Sequence, residues 1–201
     1  MTTQTATKEN QTSKLNAEKK RCAWGNTGGQ AMRDYHDFVW GKFTADDTEL
    51  FEYLTLEVFQ AGLSWATILK RQAAFKEAFL DYDLVKISQM TEQNVEELLS
   101  NPEIIRNRLK INATINNAKI VLGMQKEFGS FNNFLTTIWP DVVDNQPVTD
   151  DEIPANSEAG INFSKQLKKA GLKFIGPTIA YSFLEATGRI NDHLVSCAFK
   201  Y

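Results

Sequence analysis

The sequence is poor in the residues that most often carry metal and thiol chemistry: it holds two cysteines and two histidines in 201 positions. Two cysteines cannot build the disulfide framework of a small secreted scaffold, and they point to the reducing cytoplasm. Long apolar runs are missing as well. No segment approaches the roughly 20 apolar residues that a membrane span requires. A basic excess is also missing. The net charge is −3 and the pI is about 5.5, which excludes an enveloping cationic surface for nucleic acid but not a local one. Strand signals are nearly absent: "LKFI" at 172–175 is the one apolar run without helical context.

What is present divides into a tail and one domain. "MTTQTATKENQTSKLNAEKK" (1–20) is polar and lacks aromatics, with Leu15 its only large aliphatic residue apart from the initiator Met1. Such a stretch buries too little surface to offset its ordering entropy, so a disordered tail is expected, without the apolar stretch of a secretory signal. Residues 21–201 are long enough for a single domain with a substantial core.

Helix signals fill that domain. Asp46 with Glu49 forms a capping-box pattern ahead of "ELFEYLTLEVFQA", which Gly62 ends. Ser64 caps "WATILKRQAAFKEAFL", and Asp83 and Thr91 open two short helices. Asn101-Pro102 starts a long helix running to Phe128, with proline in the favoured first turn. Ser130 opens a helix ending at Trp139-Pro140, residues 141–156 read as a loop, Ser157 caps "EAGINFSKQLKKA", and Pro177 begins "PTIAYSFLEA", stopped by Gly188. An all-α fold follows.

The scarce residues sit at the two ends of the domain: Cys22 and His36 at one, His193 and Cys197 of "NDHLVSC" at the other. On a helix, positions i and i+4 lie on one face about 5–6 Å apart, which suits two ligands of one ion. Cys22 and His36 would complete a tetrahedral Cys2His2 set. A closed set of four protein ligands admits no water, so such a zinc would be structural, clamping the N-terminal segment to the last helix. Other readings stay open. His193 fits a surface position and Cys197 a small buried apolar residue, and Cys22 with Cys197 fits a disulfide in a less reducing setting.

Six stretches in order carry a resemblance: "RCAWG" (21–25), "YHDFVWG" (35–41), "LEVFQAGLSW" (56–65), "IIRNRLKI" (104–111), "LKKAGLKFIGPT" (167–178) and "NDHLVSC" (191–197). The chain resembles the 3-methyladenine DNA glycosylase I family of the helix-hairpin-helix type, from about residue 21 to the C-terminus. The resemblance implies a helix-hairpin-helix fold with the hairpin near 167–178. It also implies a structural Zn2+ on Cys22, His36, His193 and Cys197. The implied activity is monofunctional base-excision repair: hydrolysis of the N-glycosidic bond of 3-methyladenine in alkylated double-stranded DNA, by a monomer. Two departures stand out, Gln30 and Met32, where the family usually has Pro and Tyr. Met32 can pack on a base through its sulfur but supplies no flat wall and no hydroxyl.

A glycosylase must turn its nucleotide out of the stack, at a cost of a few kcal/mol. Backbone gripping fits the hairpin, where Gly171 and Gly176 allow close approach and Lys168, Lys169 and Lys173 add positive charge; the plain alternative is a helix–helix turn with solvated lysines. Gap filling fits Gly62 and Leu63, since a leucine beside glycine can wedge between base steps; the alternative is a core leucine. Base gripping fits Glu57 with Tyr35, Trp65, Trp24 and Trp40, and the resemblance places Glu57 in the base pocket between the first two. The alternative pairs Glu57 with Arg106 or Arg108 in a structural salt bridge. A base methylated at N3 leaves as a neutral molecule, so no strong general acid is needed. "GPTIAYSFLEA" carries no aspartate, and its Glu185 lies well beyond the hairpin. Two rival functions are a DNA-binding helix-hairpin-helix module that has lost turnover, and a zinc hydrolase in which water replaces one of the four ligands.

Overall fold

The computed structural model describes residues 19–201; the tail expected at 1–20 lies almost wholly outside the described residues. The first helices follow their local signals. A 3-10 turn, Ala23–Asn26, leads into α1 (Gln30–Phe38), which carries Met32, Tyr35 and His36 on its buried side. Helix α2 (Asp47–Gln60) is capped by Asp46, whose carboxylate accepts from the Thr48 and Glu49 N–H groups. The box is only half formed, because Glu49 takes the Thr44 hydroxyl instead.

Beyond α2 the chain departs from expectation in two places. "WATILKRQAAFKEAFL" is not one helix but two, α3 (Trp65–Leu69) and α4 (Gln72–Ala78). Asp83 and Thr91 then cap α5 (Leu84–Ser88) and α6 (Glu92–Ser100) as expected. The long helix does not start at Pro102; α7 spans Arg108–Phe128 with Asn107 as its cap. One interaction bears on both departures: at the α3–α4 break, Arg71 donates to the Pro102 and Glu103 carbonyls at 3.0 and 2.7 Å. Those carbonyls are therefore turned out of a helical ladder, and the Glu103 N–H goes to the Asn101 side chain.

Helix α8 (Phe131–Ile138), α9 (Glu158–Lys169) and α10 (Pro177–Ala186) begin where Ser130, Ser157 and Pro177 predicted. "LKFI" forms no strand. The strands are two-residue pieces elsewhere, β1 (Val143–Asp144) and β2 (Ile190–Asn191), paired in parallel. Among the described residues no helix is long and apolar enough to cross a membrane.

The segment expected as a ligand-bearing final helix is not helical either. Its amides bond elsewhere: His193 N–H to the Asn191 side chain, Leu194 N–H to the Cys22 sulfur, Val195 N–H to the Pro147 carbonyl. With those donors spent, residues 192–201 run as turns.

Two cores result. The larger one packs Phe51, Phe59, Phe75, Phe131, Phe163 and Phe183 between α2, α4, α7, α8, α9 and α10. The smaller gathers Cys22, Tyr35, Trp40, Leu194, Cys197 and Phe199 around the two chain ends. Trp65 touches both, and the site described next opens at that seam.

Candidate active site

The smaller core is built around the four residues expected to bind metal. Cys22, His36, His193 and Cys197 are buried, and their ligand atoms all lie within 4.8 Å of one another. Measured edges are 3.8 Å from Cys22 Sγ to His193 Nδ1, 3.7 Å from Cys197 Sγ to His36 Nε2 and 3.4 Å from Cys197 Sγ to His193 Nδ1. A tetrahedral zinc with ligands at about 2.0–2.3 Å gives edges of about 3.3–3.8 Å. Both cysteines are free thiols, so the disulfide alternative is not what the structure shows. Burial pushes the Cys22 thiol up to about 12; a divalent cation is the partner that would ionise it. Burial also holds both imidazoles below their usual range, His193 down to about 4, which is the neutral form a metal binds.

The other ring nitrogens are occupied. His36 Nδ1 meets the Asp37 carboxylate at 2.8 Å, and Asp37 in turn takes two guanidinium nitrogens of Arg21. His193 Nε2 donates to the Trp40 carbonyl at 3.1 Å. Such outer partners fix the tautomer and the ring plane of a ligating histidine. The Leu194 and Phe199 amides donate to the two sulfurs. The donor set, its spacing and its surroundings fit a four-coordinate ion.

Against this cluster lies a cavity of about 350 Å³, walled by Trp24, Met32, Tyr35, Trp40 and Trp65, with Glu57 and Glu185 also on its lining. The rings interlock: Tyr35 and Trp65 centroids are 5.0 Å apart, and Trp24 and Trp40 meet edge to face at 4.8 Å. Glu57 is 3% exposed, and its Oε2 has no hydrogen-bond partner among the described residues; neither has the indole N–H of Trp65. An unpartnered acceptor and an unpartnered donor therefore share one aromatic hollow. Burial alone pushes the Glu57 carboxyl up to about 8. The salt-bridge alternative falls for Arg108, which pairs with Glu92 and Glu96 instead.

A second hollow of about 420 Å³ adjoins the first, sharing Glu57, Gln60 and Ser182 with it and reaching Gly62, Leu63 and Gly176. Leu63 is 40% exposed rather than in the core, on a tight turn closed by its N–H to the Gln60 carbonyl. Gly62 has φ +83°, a conformation side chains resist, and open space where a Cβ would sit. Beyond Gly176 the groove reaches Pro177 and Thr178 at the start of α10, after the 170–176 turn. Gly171 has φ +102°, and a Cβ there would press into Ile120 at 2.9 Å. Lys168, Lys169 and Lys173 are exposed, but Lys169 lines a different hollow, beside Lys119 and Phe134.

The base-gripping residues proposed from sequence thus come together around one cavity. Of those proposed to fill the gap and hold the backbone, Gly62, Leu63 and Gly176 line the neighbouring groove, whereas Lys168, Gly171 and Lys173 do not line it and Lys169 lines another hollow. Sequence reasoning missed the cavity wall formed by Ile153, Pro154 and Ala155 in the 141–156 loop, and it missed Ser182 and Glu185. The last two had a usable signal, since positions three apart share a helix face. The Glu185 carboxyl is raised well above its usual range, by burial first and then by Asp192 and Glu57.

Comparisons with known proteins agree with this architecture. The family model of methyladenine glycosylase matches residues 24–201. The DNA-3-methyladenine glycosylase of Haemophilus influenzae is 40% identical over 186 residues, covering 90% of this chain and 97% of its own. DNA-3-methyladenine glycosylase 1 of Escherichia coli is 42% identical over 183 residues, covering 89% and 95%. A solved structure of 3-methyladenine DNA glycosylase I from Staphylococcus aureus, which concerns 3-methyladenine recognition, superposes with a TM-score of 0.85 at 38% identity, over 90% of this chain and 96% of that one. With its fold, its buried Cys2His2 cluster and near full-length similarity in agreement, the chain belongs to the methyladenine glycosylase family.

Proposed function

We propose that this protein hydrolyses the N-glycosidic bond of 3-methyladenine in alkylated double-stranded DNA, acting in base-excision repair on a nucleotide turned out of the helix. The observation that carries the proposal is the unpartnered Oε2 of Glu57 in an aromatic hollow. A buried polar group without a partner costs about 1–3 kcal/mol, and a ligand that supplies the partner recovers that cost. A purine carrying positive charge is such a ligand. Its faces suit Tyr35, Trp65 and Trp24, and its amino edge suits Glu57.

Ionising Glu57 in the empty cavity is unfavourable, because its carboxyl sits near 8. A cationic base reverses that balance and draws the carboxylate form, which holds the bound base. When the N-glycosidic bond breaks, its electron pair leaves with the base as neutral 3-methyladenine and the positive charge passes to the sugar. Water supplies the new bond at C1′ and gives up a proton. Stacking on the aromatic walls is worth about 1–3 kcal/mol per base and offsets part of the cost of extrusion. Leu63 fills the gap left in the stack. The hairpin holds phosphate through its lysines and through backbone amides at the start of α10. Lys173 N–H is bonded to Asn117, so the available amides are those from Phe174 to Gly176 ahead of α10 and those of Thr178 and Ile179 in its first turn. No lysine is among the residues lining either hollow, which supports hydrolysis by water rather than a Schiff base and strand cleavage.

Cys22, His36, His193 and Cys197 would hold zinc, which in a closed four-ligand site supplies structural cross-linking. All four positions are protein atoms, and that argues against the zinc-hydrolase alternative.

Chromatography of bases released from methylated duplex DNA tests the reading. Free 3-methyladenine without nicked strands is expected. Tight binding of the duplex with no base release at excess protein would instead identify a binding module that has lost turnover.

A further inference from the structure

The block 104–111 contributes no residue to either hollow, yet one of its members reaches both DNA-facing tips. Lys110 is 5% exposed. Its Nζ donates to the Phe59 carbonyl at 2.9 Å and the Ala61 carbonyl at 2.7 Å, the last turn of α2 ahead of Gly62-Leu63. The same ammonium lies 5.7 Å from the ring centroid of Phe174 in the hairpin, within the range of a cation–π contact.

The rest of α7 extends this arrangement. Seven positions on, and so on the same helix face, Asn117 brackets Lys173: its amide donates to the Lys173 carbonyl at 3.1 Å, and its oxygen accepts the Lys173 N–H at 2.7 Å. Asn116 holds the Gly171 carbonyl at 3.0 Å. Phe174, between these anchors, adopts φ +63° and is 38% exposed. A bulky residue in the left-handed region persists only where its surroundings enforce it, and such residues concentrate at functional sites.

A lysine that only capped α2 would need the two carbonyls and nothing more. We propose that Lys110 is a positioning residue that sets the distance between the Leu63 wedge and the hairpin, with Phe174 as an additional DNA-contacting side chain held out by it. This rests on the proposed function, in which those two tips grip a duplex on either side of the extruded nucleotide. Lys110 would then act on duplex engagement and not on base recognition, since it does not line the base cavity.

The test measures two affinities on the full chain: a duplex with one tetrahydrofuran abasic site, by anisotropy, and free 3-methyladenine, by tryptophan fluorescence. Lys110→Met should weaken duplex binding about tenfold, the scale of one lost charged hydrogen bond, while base binding stays within about twofold. Combined with Leu63→Ala it should cost less than the two single losses multiplied, because both act on one wedge. Lys110→Arg should recover part of the loss.

A Met variant that fails to fold is recognised by its melting curve, and Phe174→Gly then decides. That change relieves the positive φ, which offsets part of the lost ring burial, so the variant should stay folded yet bind duplex several-fold more weakly. Parent-like duplex binding by a folded Lys110→Met variant, or by Phe174→Gly where the Met variant does not fold, overturns the inference alone. If the parent binds neither free base nor duplex, the proposed function falls and the inference falls with it.

Discussion

The Cys2His2 cluster and the aromatic cavity are neighbours that share Trp40, but their polar groups are treated in opposite ways. Around the four ligands, the second imidazole nitrogens go to Asp37 and the Trp40 carbonyl, the sulfurs accept backbone N–H groups, and Asp37 is held by Arg21. In the cavity, Glu57 Oε2 and the Trp65 indole N–H are left without partners. Neutral, fully bonded surroundings suit an ion that stays and a shape that does not change. Unspent donors and acceptors suit a ligand that comes and goes. The first region fixes the second, because Trp24, Tyr35 and Trp40 are sequence neighbours or bonded partners of the ligands.

Emptying or breaking the proposed zinc site is the largest way to break that contrast. Treatment with a strong chelator, or Cys197→Ala, should lower the melting temperature by ten degrees or more, since structural zinc sites contribute several kcal/mol and at this size about 1 kcal/mol moves the midpoint by roughly 2–4 °C. Cavity tryptophan fluorescence should change in the same step. A chelated protein that melts with the parent would remove the clamp from the account.

Next in size is Glu57→Gln. Exchanging the acid for a neutral amide removes the charge offered to a cationic base, and single-turnover excision of 3-methyladenine should fall roughly a hundredfold, the scale of one misplaced electrostatic partner in a buried site. In the parent, excision should climb from about pH 6 to about pH 8 as the carboxyl becomes easier to ionise. The Gln variant should show a flatter profile. Full excision by Glu57→Gln would refute the assigned role.

Trp65→Ala sharpens the comparison on the apolar side. It removes one stacking face and should weaken binding of free 3-methyladenine about tenfold, the middle of the range for a base on an aromatic platform. Trp139 makes a useful control. It too has an unpartnered indole N–H, but it packs on Phe163 at 5.8 Å, away from the cavity lining, and Trp139→Phe should leave base binding unchanged.

How much of this was legible in the sequence depended on how far each interaction reaches along the chain. Helix starts at Asp46, Ser64, Asp83, Thr91, Ser130, Ser157 and Pro177 were readable because a cap is satisfied within three residues. The start of α7 was not, because Arg71 turns the Pro102 and Glu103 carbonyls aside from thirty residues away. The shape of "NDHLVSC" was hidden for the same reason: its amides bond to Cys22 and Pro147, and no local rule contains them. Its metal-ligating residue types were still visible, because scarcity at both chain ends does not depend on whether they sit on a helix. Ile153, Pro154 and Ala155 are an ordinary loop until tertiary structure brings them to the cavity that Trp24 and Tyr35 also line.

The smallest expected effect concerns stability, and its sign separates the cavity from a packed core. Glu57 titrates near 8 in the folded protein and near 4.5 when unfolded. Between those values the folded state binds the extra proton, so the parent loses stability as pH rises through that window and levels off above it. The slope is at most about 1.4 kcal/mol per pH unit. Glu185 is shifted in the same direction, in part by Glu57 itself, so the difference between parent and Glu57→Gln reports the Glu57 carboxyl together with its coupling to Glu185. That difference should grow by about 1 kcal/mol between pH 5.5 and 6.5, read as a few degrees in the melting temperature. A variant that is less active yet more stable toward pH 8 is what a site with an unspent acceptor should give. Equal pH slopes for the two proteins would mean that Glu57 is solvated in the folded state, and the contrast with the metal cluster would lose its physical basis.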